Sequence, residues 1–344
     1  MIPLVPVGKS GISVTRIGFG GAPIGDLRRT PTEAEAQTLL AGVWDAGIRY
    51  FDTAPFYGSG LSERRIGDFL RERPPDSYVL STKVGRLLVP DRAWAVAHYE
   101  NEATPPFRPV VDFSYDGIMK SFESSLQRLA LARVDMLLLH DIGRFSQQDN
   151  HEAAMDQALG GGGLRALEEL RSSGTVRGIG VGVNEWQVLV ELMDHARFDV
   201  FLLANRYTLL DQAVVEDFFP RVQREGISVI VGAALNSGIL LTGAVPGAHY
   251  DYAPAPEDIL EKTRAIEDMC NRHGVPLIRA ALNFPLGHPA VTALLPGMSK
   301  ADQLSQNLRH LRARIPPALW TDLREAGLIH REAPLPLSPS LPEA

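Results

Sequence analysis

The chain has 344 residues, 45% of them apolar and 22% charged, with a formal net charge of −7 at pH 7. That composition supplies a large core, and its acidic balance argues against a nucleic-acid surface, which needs clustered Lys and Arg. The lone Cys270 cannot form an internal disulfide, no apolar run approaches the roughly 18 residues that span a bilayer, and no secretory signal is visible, so a reduced, cytoplasmic protein without a membrane partner is expected.

Taken in order, residues 1–16 read as a small hairpin about the turn Gly8-Lys9-Ser10-Gly11. Strands are predicted over 17–20, 48–53, 78–84, 134–140, 176–182, 199–204, 227–233 and 291–295. They are near-continuously apolar, as strands buried on both faces are. Helical patterns alternate with them. One starts near Thr32 and runs through Trp44; the others cover 61–72 (with Ser62 as N-cap), 115–129, 164–173, 185–195, 213–225, 257–273 and 301–311. Eight strands alternating with eight helices fit a single α/β (β/α)8 barrel, residues 1–330, with the hairpin plugging its bottom. A long loop over 85–112, rich in Pro and aromatics, interrupts the alternation after the third barrel strand. Gly160–Gly163 reads as a flexible connection, and the Pro-rich tail over 331–344 as extended or disordered.

Several chemistries fail on spacing. Gly8-Lys9-Ser10 lacks the earlier glycine of a phosphate loop, because Pro3 stands there. Gly18-Phe19-Gly20-Gly21-Ala22-Pro23 lacks the last glycine of a dinucleotide fingerprint. The nine histidines show no metal-ligand pairing, so no metal is expected. What remains is a set of polar residues at strand ends, where barrel active sites lie. Asp52 ends the second strand and Tyr57 follows it. Lys83 ends the third, His140 the fourth. Asn184 and Asn205 close the fifth and sixth. Ionisable groups closing buried strands are costly unless paired or used. A Lys beside a Tyr favours the phenolate and would pull its pKa down. Asp52 would orient Lys83, and His140 would hold a substrate oxygen. This suits proton transfer at a carbonyl. Nothing in the set takes a hydride, so a nicotinamide cofactor is implied.

Asp52-Thr53-Ala54-Pro55-Phe56-Tyr57-Gly58, Lys83, Leu137-Leu138-Leu139-His140 and Gly238-Ile239-Leu240-Leu241-Thr242-Gly243 resemble the aldo-keto reductase superfamily over nearly the whole chain. The resemblance implies a barrel that binds NAD or NADP without a Rossmann fold, with Asp52, Tyr57, Lys83 and His140 as catalytic residues. It implies that Asn184 and Asn205 hold the nicotinamide carboxamide, and that Gly20, Ala233, Leu235, Asn236, Gly238 and Leu240 also line the cofactor. The aromatic that often stacks on the nicotinamide aligns with Gly232. The stretch 294–307 resembles the adenosine-binding segment, with Gly297, Ser299, Lys300, Gln303, Gln306 and Asn307 as its contacts. Gly297 and Gln303 stand where NADP-using members tend to carry cations, which tips the expectation to NAD.

Within the superfamily the chain looks most like the aldose 1-dehydrogenases acting on L-fucose, L-galactose and D-threo-aldoses, with a pyridoxal 4-dehydrogenase close by. This implies oxidation of a sugar hemiacetal at the anomeric carbon to a lactone, with Tyr57 as general base. Phe19, Phe56, Trp94 and Tyr99 are candidates for an apolar wall against the sugar, Trp186 a weaker one. Arg86, His140 and Asn236 are candidates for hydroxyl contacts. An NADP-dependent aldehyde or ketone reductase is the enzymatic alternative, and a cofactor-binding regulatory subunit the non-enzymatic one. Either a monomer or a homodimer is compatible with the sequence.

Overall fold

The computed structural model describes residues 1–25, 31–99 and 104–342. Leu4–Val7 (β1) and Ile12–Thr15 (β2) form the predicted antiparallel hairpin, Val7 opposite Ile12. Gly8 and Gly11 hold φ of +48° and +71° at its turn, a region that favours glycine. Then come Phe19–Gly20 (β3), Tyr50–Asp52 (β4), Val79–Val84 (β5), a ribbon of Arg86–Pro90 (β6) with Phe107–Val111 (β7), and Met136–His140 (β8). Gly178–Val183 (β9), Val200–Ala204 (β10) and Ser228–Gly232 (β11) follow, then a short hairpin of His249–Tyr250 (β12) and Ala253–Pro254 (β13), and finally Val291–Leu295 (β14).

The eight predicted barrel strands are all present. They pair in parallel in the order β14-β11-β10-β9-β8-β5-β4-β3. Bridges from Ile17 to Leu294 and from Gly20 to Gly297 join the two edge strands. Two apolar layers result. The inner one joins Tyr50, Met136, Leu138, Leu202, Ile230 and Leu295 to Val7, Ile12 and Val14 of the hairpin, which therefore plugs the barrel floor. The outer layer packs the strands on the helices, as Phe51 does on Phe69 of helix Leu61–Leu70.

Three local expectations are corrected and a fourth, the extended tail, is made more specific. Ser62 is not an N-cap: that position is Gly60 at φ +90°, while Ser62 Oγ donates to Gly21 O at 2.9 Å and meets Thr53 Oγ1 at 2.8 Å. The 85–112 loop is largely regular, because β6 and β7 pair around helix Arg92–His98. The glycine run is a tight crossing: Gly162 takes φ +81°, and a Cβ on Gly163 would lie 2.0 Å from Phe113 O. The tail is extended but docked, with Ala333 and Leu341 buried and Ser340 Oγ donating to Asn283 Oδ1 at 2.6 Å. Helices His151–Ala158, Leu277–Asn283 and Pro317–Glu325 were not expected. No helix among the described residues is long and apolar enough to cross a membrane.

Candidate active site

The strand ends bring Asp52, Lys83 and His140 to one mouth of the barrel, and the loop after β4 brings Tyr57 to them. That loop packs tightly on the segment after β3 because glycines meet there: a Cβ on Gly58 would lie 2.2 Å from Gly25 O, and one on Gly25 would lie 2.7 Å from Tyr57 O. Lys83 Nζ donates to Asp52 Oδ2 at 2.7 Å and to Thr53 O at 3.0 Å. Ser81 Oγ donates to Asp52 Oδ1 at 2.7 Å. Gly182 makes room for the lysine stem, since a Cβ there would lie 3.2 Å from Lys83 Cε. The Lys83 ammonium sits 4.7 Å from the Tyr57 ring centroid, and the Tyr57 and His140 rings meet edge to face at 5.7 Å.

The electrostatics follow from burial. Desolvation raises the Asp52 carboxyl against the pull of Lys83. It disfavours the Lys83 charge too, but Asp52 and Tyr57 hold the ammonium above its usual pKa. Desolvation, aided by Arg86 and Lys83, pushes the His140 imidazole well below its usual value, so it is neutral at pH 7. The expectation for Tyr57 is corrected. Lys83 does lower it, but burial outweighs that help, Asp52 adds to the rise, and the phenol is pushed up to about 12.

Two residues of this mouth carry no assignment from sequence. Asp141, at φ +54°, accepts from Arg86 Nη2 at 3.4 Å and from Asn184 Nδ2 at 3.3 Å, and lies 3.4 Å from His140 Nε2. Its place directly after His140 was the available signal. Tyr252 reaches Asn184 and Asn205 from the turn between β12 and β13; nothing in the sequence around it pointed to the site.

The amide side of the mouth matches a nicotinamide carboxamide, which offers one acceptor and two donors. Asn205 Nδ2 donates to Asn184 Oδ1 at 3.1 Å, and Asn236 Nδ2 donates to Asn205 O at 3.1 Å. Asn205 Oδ1 and Asn236 Oδ1 are buried without a partner among the described residues. Buried polar atoms left so are costly, so a ligand with amide donors fits here. Gly20 and Gly297 are bridged to each other at the adjoining rim. Ala233, Asn236, Ser237 and Gly238 all take positive φ in the turn after β11. Two expected contacts are narrowed: the N–H groups of Gly238 and Leu240 both bond Leu235 O, and the Leu240 side chain is buried in the core.

Farther round, Ser299 and Lys300 face Ala34, Glu35 and Thr38 across a cavity of about 400 Å³. Gln303 Oε1 accepts from Ser299 N at 2.7 Å and from Lys300 N at 3.2 Å, capping helix Ala301–Arg312. Gln306 is exposed and Asn307 buried on that helix.

The expected substrate wall is only partly assembled. Phe56 is exposed at the mouth, 6.0 Å from the His140 ring, with the Arg86 guanidinium 4.4 Å from its own ring. Phe19 is corrected: it is fully buried in the outer layer, 6.2 Å from Phe51. Trp94 stacks on His98 at 4.0 Å, and Tyr99 OH meets Ser59 Oγ at 3.2 Å, so both pack the β6–β7 insertion. Trp186 packs on the outer core.

A model of the aldo/keto reductase family matches residues 16–327. The chain is 43% identical to a pyridoxal 4-dehydrogenase of Microbacterium luteolum over 94% of its own length and 97% of the relative's. It is 37% identical to a D-threo-aldose 1-dehydrogenase of a Pseudomonas species, covering 93% and 96%. An L-galactose dehydrogenase of Arabidopsis thaliana is 28% identical, covering 89% and 87%. The fold matches that of an aldo-keto reductase from Bacillus halodurans with a TM-score of 0.73 over 96% of this chain and 97% of the other, at 23% identity.

Proposed function

The chain belongs to the aldo/keto reductase family of nicotinamide-dependent oxidoreductases, and from that premise we propose that it oxidises an aldose, held as its cyclic hemiacetal, to the lactone with NAD. The observation that carries this is the meeting of Tyr57, Lys83, Asp52 and a neutral His140 beside the paired amides of Asn184 and Asn205.

Bound NAD supplies the hydride acceptor. Asn184, Asn205 and Asn236 hold the nicotinamide end, and the cavity beside Ser299 and Lys300 takes the adenosine end. The chain's own residues handle the proton. The Tyr57 phenolate oxygen takes the hydroxyl proton of the hemiacetal, and Lys83 steadies the phenolate. Asp52 keeps Lys83 charged and in place. His140, neutral, donates a hydrogen bond to the same substrate oxygen as it becomes the lactone carbonyl. No metal or activated water is needed, because the carbon leaves at the oxidation level of an ester.

The NAD preference is supported by Gln303. Its side-chain oxygen is committed to capping the helix, and neither it nor Gly297 offers a cation to a 2′-phosphate. A second reading keeps the mechanism and changes the substrate: pyridoxal also closes to a hemiacetal, and the 43% identical relative is named for it. Initial rates of NADH formation separate these. L-Fucose, L-galactose, D-arabinose and pyridoxal would each be offered with NAD and with NADP. Turnover of a fucose-configured sugar, at least about tenfold faster with NAD, is expected. Turnover of pyridoxal alone would select the second reading. Aldehyde reduction by NADPH with no oxidation of any hemiacetal would defeat both.

Asp141 is proposed as a positioning residue. Its carboxylate holds Arg86 under Phe56 and orients Asn184. Asp141→Asn is expected to lower kcat/KM by about tenfold or more, the worth of a hydrogen bond to a charged group. The loss should fall mainly on KM for NAD and substrate. A change under twofold would show that Arg86 and Asn184 are held without it.

A further inference from the structure

Gly232, which aligns with the aromatic that often stacks on the nicotinamide, carries no side chain. A Cβ built there would meet nothing nearer than Leu202 Cδ2 at 3.4 Å. An aromatic residue nevertheless reaches the same pair of amides from another element. Tyr252 sits in the turn between β12 and β13, and its hydroxyl donates to Asn184 Oδ1 at 3.2 Å while accepting from Asn205 Nδ2 at 3.3 Å. We propose that Tyr252 is the gate of the nicotinamide site: its phenol ties down Asn184 and Asn205, two of the amides that would hold the carboxamide, must release them when the cofactor binds, and then offers its ring as the aromatic cover that Gly232 cannot.

Three further observations bear on this. Tyr252 is held at φ +67° and Asp251 at +48°, a conformation that a bulky aromatic adopts only when its surroundings impose it. The surroundings do so: Arg206 pairs with Asp251 at 2.8 Å, and Tyr252 N donates to Ser237 Oγ at 2.9 Å. Despite these anchors the residue is 51% exposed. An anchored backbone with a half-free ring is what a residue that swings about its own side-chain torsions requires. The hydroxyl also mimics the ligand, donating to one amide and accepting from the other as a carboxamide does. Finally, Asn205 is fully buried, and its Nδ2 is already shared between Asn184 Oδ1 and the Tyr252 hydroxyl.

The inference rests on the proposed cofactor site, so its test separates the two. NADH and ADP-ribose, which lacks the nicotinamide, would be titrated into the substrate-free protein. Quenching of protein fluorescence and calorimetry would be the readouts, on wild type, Tyr252→Phe and Tyr252→Ala. Tyr252→Phe removes the competing hydroxyl from the free state and keeps the ring. NADH should therefore bind at least about threefold tighter, the worth of a modest hydrogen bond. Tyr252→Ala removes the ring as well, so its NADH affinity should fall at least about fivefold below that of the Phe variant. ADP-ribose should bind all three alike, which also shows that each variant is folded. Equal NADH affinity in Tyr252→Phe and wild type, or parallel shifts for NADH and ADP-ribose, would overturn the gate while leaving the cofactor site standing. Failure of wild type to bind either ligand would overturn the cofactor site and the gate with it.

Discussion

Tyr57→Phe will leave a folded protein that binds NADH but has lost turnover by about 10³-fold or more. A positioned proton acceptor contributes roughly 10²–10⁴-fold, and neither His140 nor Asp52 can replace it. His140 is neutral, but burial and two cations set its basicity well below that of a free imidazole. Asp52 is spent on Lys83 and Ser81. The substitution removes one hydroxyl and keeps the ring that meets His140 edge to face. Lys83 retains Asp52 and Thr53 O as partners, so neither melting temperature nor NADH affinity should change by more than a small margin. The wild-type pH profile carries the same assignment. With the phenol pushed up to about 12, the phenolate is a small fraction at neutral pH. The rate of oxidation should then climb with pH through the alkaline range, by up to about tenfold per unit where one deprotonation governs it. The reverse reduction uses the protonated phenol and should not climb. Turnover of Tyr57→Phe within tenfold of wild type, or a flat oxidation profile between pH 7 and 10, would remove Tyr57 from the proton transfer.

The contrast between what was legible in the chain and what was not has physical causes. The barrel was legible because strands buried on both faces read as short, near-continuous apolar runs, such as 136–139 and 200–204, that alternate with longer amphipathic stretches. Asp52, Lys83 and His140 were legible because each is a polar residue closing such a run. The face that a strand residue occupies was not, since a doubly buried strand is apolar on both sides. Phe19 shows this. A Cβ on Gly18 would strike Leu295 and Tyr50 of the inner layer, so Phe19 must point outward, and Gly18 was the clue. The β6–β7 ribbon hid among prolines because its pairing is set by tertiary packing. The sign of the Tyr57 shift depended on burial set against one cation, which spacing cannot weigh. Tyr252 reaches the amides from a two-strand hairpin inserted between β11 and β14, with no periodic pattern to place it.

Lys83→Met will separate the structural role of the buried ion pair from its chemical one. Lys83 and Asp52 have side chains only 1% and 3% exposed and meet at 2.7 Å. Removing one partner of such a pair strands the other, at a cost of about 3–5 kcal/mol. Here the cost should lie at the lower end, because burial already raises the Asp52 carboxyl and eases its protonation. Lowering the pH should therefore recover stability in the single variant, as the stranded carboxylate takes up its proton. The double variant Asp52→Asn/Lys83→Met removes the stranded charge outright and should regain most of the lost stability in urea unfolding. It should regain no activity, because the phenol has lost the cation that favours its ionised form. A double variant as unstable as Lys83→Met would mean that the lysine stem, lodged against Gly182, supplies packing that Met does not replace. A double variant that turns over substrate near the wild-type rate would mean that Tyr57 ionises without Lys83, and that the pair serves the fold alone.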